Sequence, residues 1–126
     1  MILHIDDNIT IAELQEKFNE CFPHLKIEFY SHPHHWKESS FPNEIIDPSK
    51  KLGEIRKNHE HGVFEIKSWD QTGRVEQEFK KIYGLNVQIF RTENGKWHQT
   101  VSSDKLILKQ QQQLNSAAAE NINHDL

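Results

Sequence analysis

The 126-residue chain has one cysteine, five isolated glycines, no apolar run near the ~18 residues that span a bilayer, and no surplus of basic charge. Each shortage excludes something. Cys21 alone cannot form an internal disulfide. Glycines scattered singly at turns and helix ends leave no Gly-rich loop to cradle phosphate. A formal charge of −4 argues against broad affinity for nucleic acid or anionic membrane, which both need a basic surplus. The opening MILHID lacks the basic start and apolar stretch of a secretory signal, so a cytoplasmic protein is expected. With 35% apolar and 27% charged residues and a mean hydropathy of −0.80, the chain suits one core, with some residues left outside it.

What is present is a pattern of strands and amphipathic helices. ILHI (2–5) reads as a strand. Thr10, with Glu13 three residues on, has the spacing of a helix cap, and Ile11, Leu14, Phe18, Cys21 and Phe22 form an apolar stripe behind it. After Pro23, Leu25, Ile27 and Phe29 alternate with polar residues, as in a strand with one buried face. The plan then recurs: strand 62–69, helix 72–84 with Val75, Phe79, Ile82 and Tyr83 on one face, and strand 85–92. Superposed, the two stretches match Leu14 with Val75, Phe18 with Phe79, Phe22 with Tyr83, Leu25 with Leu85 and Ile27 with Val87, which points to an internal repeat. Asn94-Gly95 is the strongest turn signal, since a type I′ turn needs positive φ at both central residues, and it leads into a last strand, 96–101.

These elements predict one α+β domain over residues 1–114. Two β-α-β units would form a two-layer, ferredoxin-like sandwich with an extra C-terminal hairpin strand. The long connector 31–61 would carry a short helix near 48–57, started by Asp47-Pro48. Ser103-Asp104 would cap a terminal helix over about 103–114, and residues 115–126 would be a disordered tail.

If Leu85, Val87 and Ile89 face the helices, then Tyr30, Gln88, Phe90, Trp97 and Gln99 share the opposite face, with Trp69 able to join them. Three things could cover such an aromatic and polar surface. They are the chain's own terminal helix (Leu106, Leu108, Leu114) or loop (Trp36, Phe41), a second copy of the chain, or a different protein. RNA-binding domains stack bases on sheet aromatics in this topology. Here, though, no basic Gly-aromatic motif occurs in 62–69, and Lys26 and Lys67 are offset by Glu28 and Glu65.

The segments FNECFPHLKIEFY, YGLNVQIFRTENGKWHQT and SDKLILKQQ resemble a family of small proteins found mainly in Bacteroidetes. Its members carry phrases like FPxLKxEFF, GLxVQVFRKSGxxWxxT and TDxWTLxxQN. The resemblance covers about residues 10–114. It departs in the third phrase, where Ser103-Asp104 stands for Thr-Asp and the usual Trp is absent. It implies a shared fold and a bacterial, cytosolic setting, and it transfers no catalytic residue.

Several constellations could carry chemistry. His32, His34 and His35 at one end of the connector, and His59 and His61 at the other, could close a zinc or nickel site. Their spacing nevertheless matches no established zinc pattern. Cys21 falls on an apolar stripe, as a buried, inert thiol would. Ser102, Ser103, Asp104 and His98 lie close in sequence without the strained nucleophile turn of a hydrolase. Glu13, Glu16, Glu20, Glu76 and Glu78 read as solvated helix faces, and Arg91 as an edge residue whose guanidinium reaches solvent or a helix-end carboxylate. The expectation is a non-enzymatic interaction module that self-associates through its open sheet face. A divalent-metal-binding protein and an enzyme of unknown type are the alternatives.

Overall fold

The computed structural model of the chain describes residues 1–32 and 44–114. His34, His35 and the loop aromatics Trp36 and Phe41, like the tail 115–126, lie outside the described residues. The elements run β1 (Ile2–Ile5), α1 (Ile11–Cys21), β2 (Leu25–Tyr30), α2 (Leu52–Ile55), β3 (Gly62–Glu65), α3 (Thr72–Tyr83), β4 (Asn86–Glu93) and β5 (Lys96–Gln99). A 3₁₀ turn, Val101–Ser103, leads to a last helical segment, α4 (108–114).

The chain is mixed α+β with antiparallel sheets, but its strands do not lie in the single sheet expected of a ferredoxin-like sandwich. They form two sheets, β1-β3 and β2-β4-β5. A ferredoxin-like order would put β2 and β4 on opposite edges. Here they pair directly over six residues, from Leu25 with Arg91 to Tyr30 with Asn86. The reason is in the side chains: this register sets Ile27 against Ile89 and Phe29 against Val87, joining two apolar rows into one buried surface.

Both sheets and all the helices feed one core. Leu3 and Ile5 of β1, Phe64 of β3, Leu14 and Phe18 of α1, Val75 and Phe79 of α3, and Leu52 and Leu108 of the short helices are all buried there. Phe79 sits at its centre, edge-on to Phe64 with centroids 4.8 Å apart and to Phe29 at 6.2 Å.

Local chemistry sets the ends of the elements. Thr10 Oγ1 accepts a hydrogen bond from the Glu13 N–H at 3.2 Å, as its spacing predicts for a cap. Gly84 closes α3 in the left-handed region at φ 66°. Asn94 (φ 53°) and Gly95 (φ 75°) make the expected tight turn, and Thr92 pairs with Trp97 and Phe90 with Gln99.

Two helix starts differ from expectation. Asp47 accepts from the Ser49 N–H at 2.9 Å in a local turn, and α2 begins only at Leu52. Likewise Ser103 and Asp104 lie in the turn before α4, whose start is marked by Gln110 Oε1 accepting from the Ile107 N–H at 3.0 Å. Glu54 does the same for α2, accepting from the Lys51 N–H at 2.8 Å.

That match belongs to a wider one. Ile11 N–H donates to the Lys50 carbonyl at the start of α1, and Thr72 N–H to the Leu106 carbonyl at the start of α3. Ala12 with Pro48 is echoed by Gly73 with Asp104, Leu52 with Ile9 by Leu108 with Asp70, and Gly53 with Asp7 by Lys109 with Ser68. Each long helix therefore has its N-terminal amides satisfied by the segment leading into a short helix, which buries one leucine beneath it.

Candidate functional site

Three groups of side chains stand apart from the core: the outer face of β2-β4-β5, a buried polar network beside β4, and an ion cluster at Asp7. The first is the face singled out from the sequence. Alternation along β2, β4 and β5 puts Lys26, Phe90, Gln99 and Trp97 together. Lys26 Nζ lies 5.1 Å from the Phe90 ring centroid and 5.0 Å from that of Trp97, and 3.5 Å from Glu28. The ammonium thus holds two aromatic rings while its charge is balanced locally. Trp97 is 40% exposed.

The rest of that predicted face differs. Tyr30 and Gln88 are buried, at 3% and 0% exposure, so the open part is confined to the end nearer the Asn94-Gly95 turn. Burial, with the Glu28 and Glu76 charges nearby, holds the Tyr30 hydroxyl well above its ordinary pKa. Trp69 is on neither β4 nor β5. It lies in the turn 67–70, 66% exposed, with Lys67 Nζ 5.7 Å from its ring. Leu108, a candidate cover for the face, is instead buried in the core.

Sequence reasoning misses the second group, because it places Glu76 on a solvated helix face. It is buried, on a stripe with Thr72, Val75, Phe79 and Tyr83, while Ile82, expected on that stripe, is exposed. The helical spacing of Thr72, Glu76, Phe79 and Tyr83 was the available signal. Glu76 Oε2 accepts from the Ile89 N–H at 2.7 Å and from Gln88 Nε2 at 3.1 Å. It thereby caps the β4 backbone where β5 has ended, and Thr100 Oγ1 donates to the Ile89 carbonyl at 2.8 Å. Arg91 extends the network: Nη1 donates to Ser103 Oγ at 2.8 Å and to Gln111 Oε1 at 2.9 Å. Nη2 lies 3.5 Å from Glu93 Oε2 on the same strand, so the guanidinium bonds turn and helix side chains and a strand carboxylate rather than the solvent or helix-end carboxylate expected of it.

Burial and the Asp104 charge push the Glu76 carboxyl well above its ordinary pKa, against the pull of the Ile89 N–H. The sign of its effect on stability follows. The unfolded chain releases this proton near the ordinary value of 4.5 while the folded chain still holds it. Stability therefore falls as pH rises from about 4.5 towards the folded-state pKa. Glu76→Gln should flatten that part of the stability–pH curve, as read by urea midpoints between pH 4 and 8. An unchanged slope would contradict the assignment.

The third group gathers at Asp7. Arg56, with a fully buried side chain, donates through Nη2 (2.8 Å) and Nε (3.2 Å) to Asp7 Oδ1 and through Nη1 (3.1 Å) to the Tyr83 carbonyl. His59 Nδ1 lies 2.8 Å from Asp7 Oδ2, and His61 Nε2 lies 3.6 Å from the same oxygen. Desolvation raises the Asp7 pKa, but the hydrogen bonds and charges of Arg56 and His59 outweigh it and hold the carboxyl below its ordinary value. His59 and His61 thus point both rings one way, onto a carboxylate whose other oxygen is taken by a guanidinium. His32 is elsewhere, with Nδ1 3.1 Å from Ser31 Oγ and 3.7 Å from Glu44. Among the described residues no three His, Cys, Asp or Glu side chains form a group that could hold a metal ion.

Cys21, expected to be buried, is exposed: Phe22 takes the inward position at the end of α1. No described helix is long and apolar enough to cross a membrane. Comparison with protein-family models, curated proteins and solved structures gives no match to this chain.

Proposed function

We propose that this protein is a non-enzymatic interaction module, built from two β-α-β units, that forms a homodimer through the outer face and outer edge of β5. The observation that carries this reading is Trp97. It stands 40% exposed on the last strand, flanked by Phe90 and fixed by the Lys26 ammonium. A large aromatic held in one orientation loses little side-chain freedom on association and contributes a large apolar surface, as the centre of an interface requires.

Two features favour a second copy over an unrelated partner. Among the described strands β5 stands at the end of the order β2-β4-β5, the position at which a sheet takes an incoming strand. Antiparallel pairing of β5 with its own mate sets Lys96 opposite Gln99, so like charges do not meet. The Lys26–Glu28 pair leaves the adjoining face without net charge, which suits contact with an identical surface. The bacterial, cytoplasmic setting implied by the family resemblance belongs to the same proposal.

Trp97→Ala should weaken self-association at least 10-fold without changing the unfolding midpoint of the monomer. Sedimentation velocity over a concentration series reads the first and thermal denaturation the second. Dimerisation of equal strength in wild type and variant would overturn the assignment of this face.

A further inference from the structure

The correspondence between the two halves has one conspicuous break. In the second half, the space beside the end of α3 is filled by Arg56, locked to Asp7 and to the Tyr83 carbonyl. Gly53 makes room for that pair: a Cβ at this position would fall 2.8 Å from Asp7 Cβ. In the first half, the matching backbone bonds put Ser68 in the place of Asp7 and Lys109 in the place of Gly53. Gln112 stands where Arg56 does, the same distance into the short helix, and it turns aside to accept from the His24 N–H at 2.7 Å. Among the described residues nothing comparable to the arginine fills the gap. An open cleft of about 430 Å³ remains at the end of α1, between Cys21, Phe22 and His24 on one side and Ser68, Lys109 and the two glutamines 112 and 113 on the other.

The chemistry of this cleft is one-sided. Among the described residues no carboxylate lines it, and its cation, Lys109, is joined by the Ser68 hydroxyl and the Gln113 amide as neutral donors. Phe22 supplies an apolar surface. We infer that this cleft binds a small oxyanion, a carboxylate or phosphate, with Lys109 as its counter-charge and Ser68 and Gln113 as hydrogen-bond donors. The same geometric niche thus serves two ends. An internal arginine–aspartate pair closes it in one half, and an external anion enters it in the other. The site is built on the end of α1, the turn after β3 and α4, and its chemistry does not depend on dimer formation.

Cys21, the sole thiol of the chain, lies on the cleft wall and reports on it directly. The test is its rate of alkylation by neutral iodoacetamide and by anionic iodoacetate, in wild type and in Lys109→Glu. An anion-attracting cleft predicts that Lys109→Glu lowers the ratio of the iodoacetate rate to the iodoacetamide rate about 10-fold, since both reagents need the same thiolate and only the charged one is itself attracted by Lys109. Inorganic phosphate or succinate at millimolar concentration should slow both reagents in wild type, and sodium chloride of equal ionic strength should not. Protection by phosphate alone or succinate alone identifies which oxyanion is taken. The inference is overturned if neither anion protects beyond the chloride control, or if Lys109→Glu slows both reagents equally. Circular dichroism of the variant distinguishes a lost site from a lost fold, and Lys109→Gln, which drops the charge and keeps a polar side chain, should give an intermediate iodoacetate rate.

Discussion

Phe79→Ala should lower the free energy of unfolding by about 3–5 kcal/mol, among the largest losses a single truncation can give. Phe79 has no solvent exposure, and its ring meets Phe64 of one sheet and Phe29 of the other. Removing it opens a void where the two sheets and α3 meet, and a close-packed interior relaxes only partly around such a void. Ile82→Ala, three residues on in the same helix, removes an apolar side chain that is 42% exposed and should cost less than about 1 kcal/mol. Urea denaturation of the two variants, followed by circular dichroism, makes the comparison. Similar losses for both would mean that α3 is rotated from the position described.

Asp7→Asn should lower Tm by about 5–10 °C at pH 7, and by clearly more than Arg56→Met does. The asymmetry follows from burial. The Arg56 side chain is inaccessible to solvent, whereas that of Asp7 is 30% exposed. Taking away the carboxylate strands a guanidinium that cannot reach water, while taking away the guanidinium leaves an aspartate that can rehydrate, with an apolar methionine filling the space. The pH dependence has a defined sign. Asp7 has a folded-state pKa below its unfolded value of 3.8, so its contribution is fully present above that value and is lost as pH falls through the folded pKa. The gap between wild type and Asp7→Asn should therefore be wide at pH 7 and close progressively below about pH 4. Thermal melts at pH 7, 5 and 3 measure it. A gap independent of pH would show that the carboxylate charge is not what holds Arg56.

Much of the secondary structure was legible because it rests on local rules. The alternation of Leu25, Ile27 and Phe29, the Thr10 cap and the Asn94-Gly95 turn each have a short-range cause, and each is found where that cause places it. Strand order is not local. Which edge β2 pairs with depends on how Ile27 and Phe29 meet residues some 60 positions away in the chain, and alternation within each strand is satisfied by either order. Cys21 and Ile82 illustrate a finer limit: both end an amphipathic helix, where one further turn of the wheel decides between core and solvent, and in both helices the next aromatic, Phe22 or Tyr83, takes the inward place. Glu76 shows the opposite error. A charged residue on an apolar stripe looks like a surface position until the Ile89 amide, left without a strand partner, supplies its reason. The face around Trp97 could be read from strand alternation alone, whereas the Arg56–Asp7 pair joins segments that nothing local in the sequence connects.

The central claim, a second copy seated on the β5 edge, is tested most directly by isotope-filtered NMR of a dimer mixed from labelled and unlabelled protein. The structure and the proposal together predict intermolecular contacts from the Trp97 indole and across Lys96–Gln99. Intermolecular contacts confined to Ile2 and Val63 on the other sheet, or none at concentrations where the protein sediments as a dimer, would contradict it.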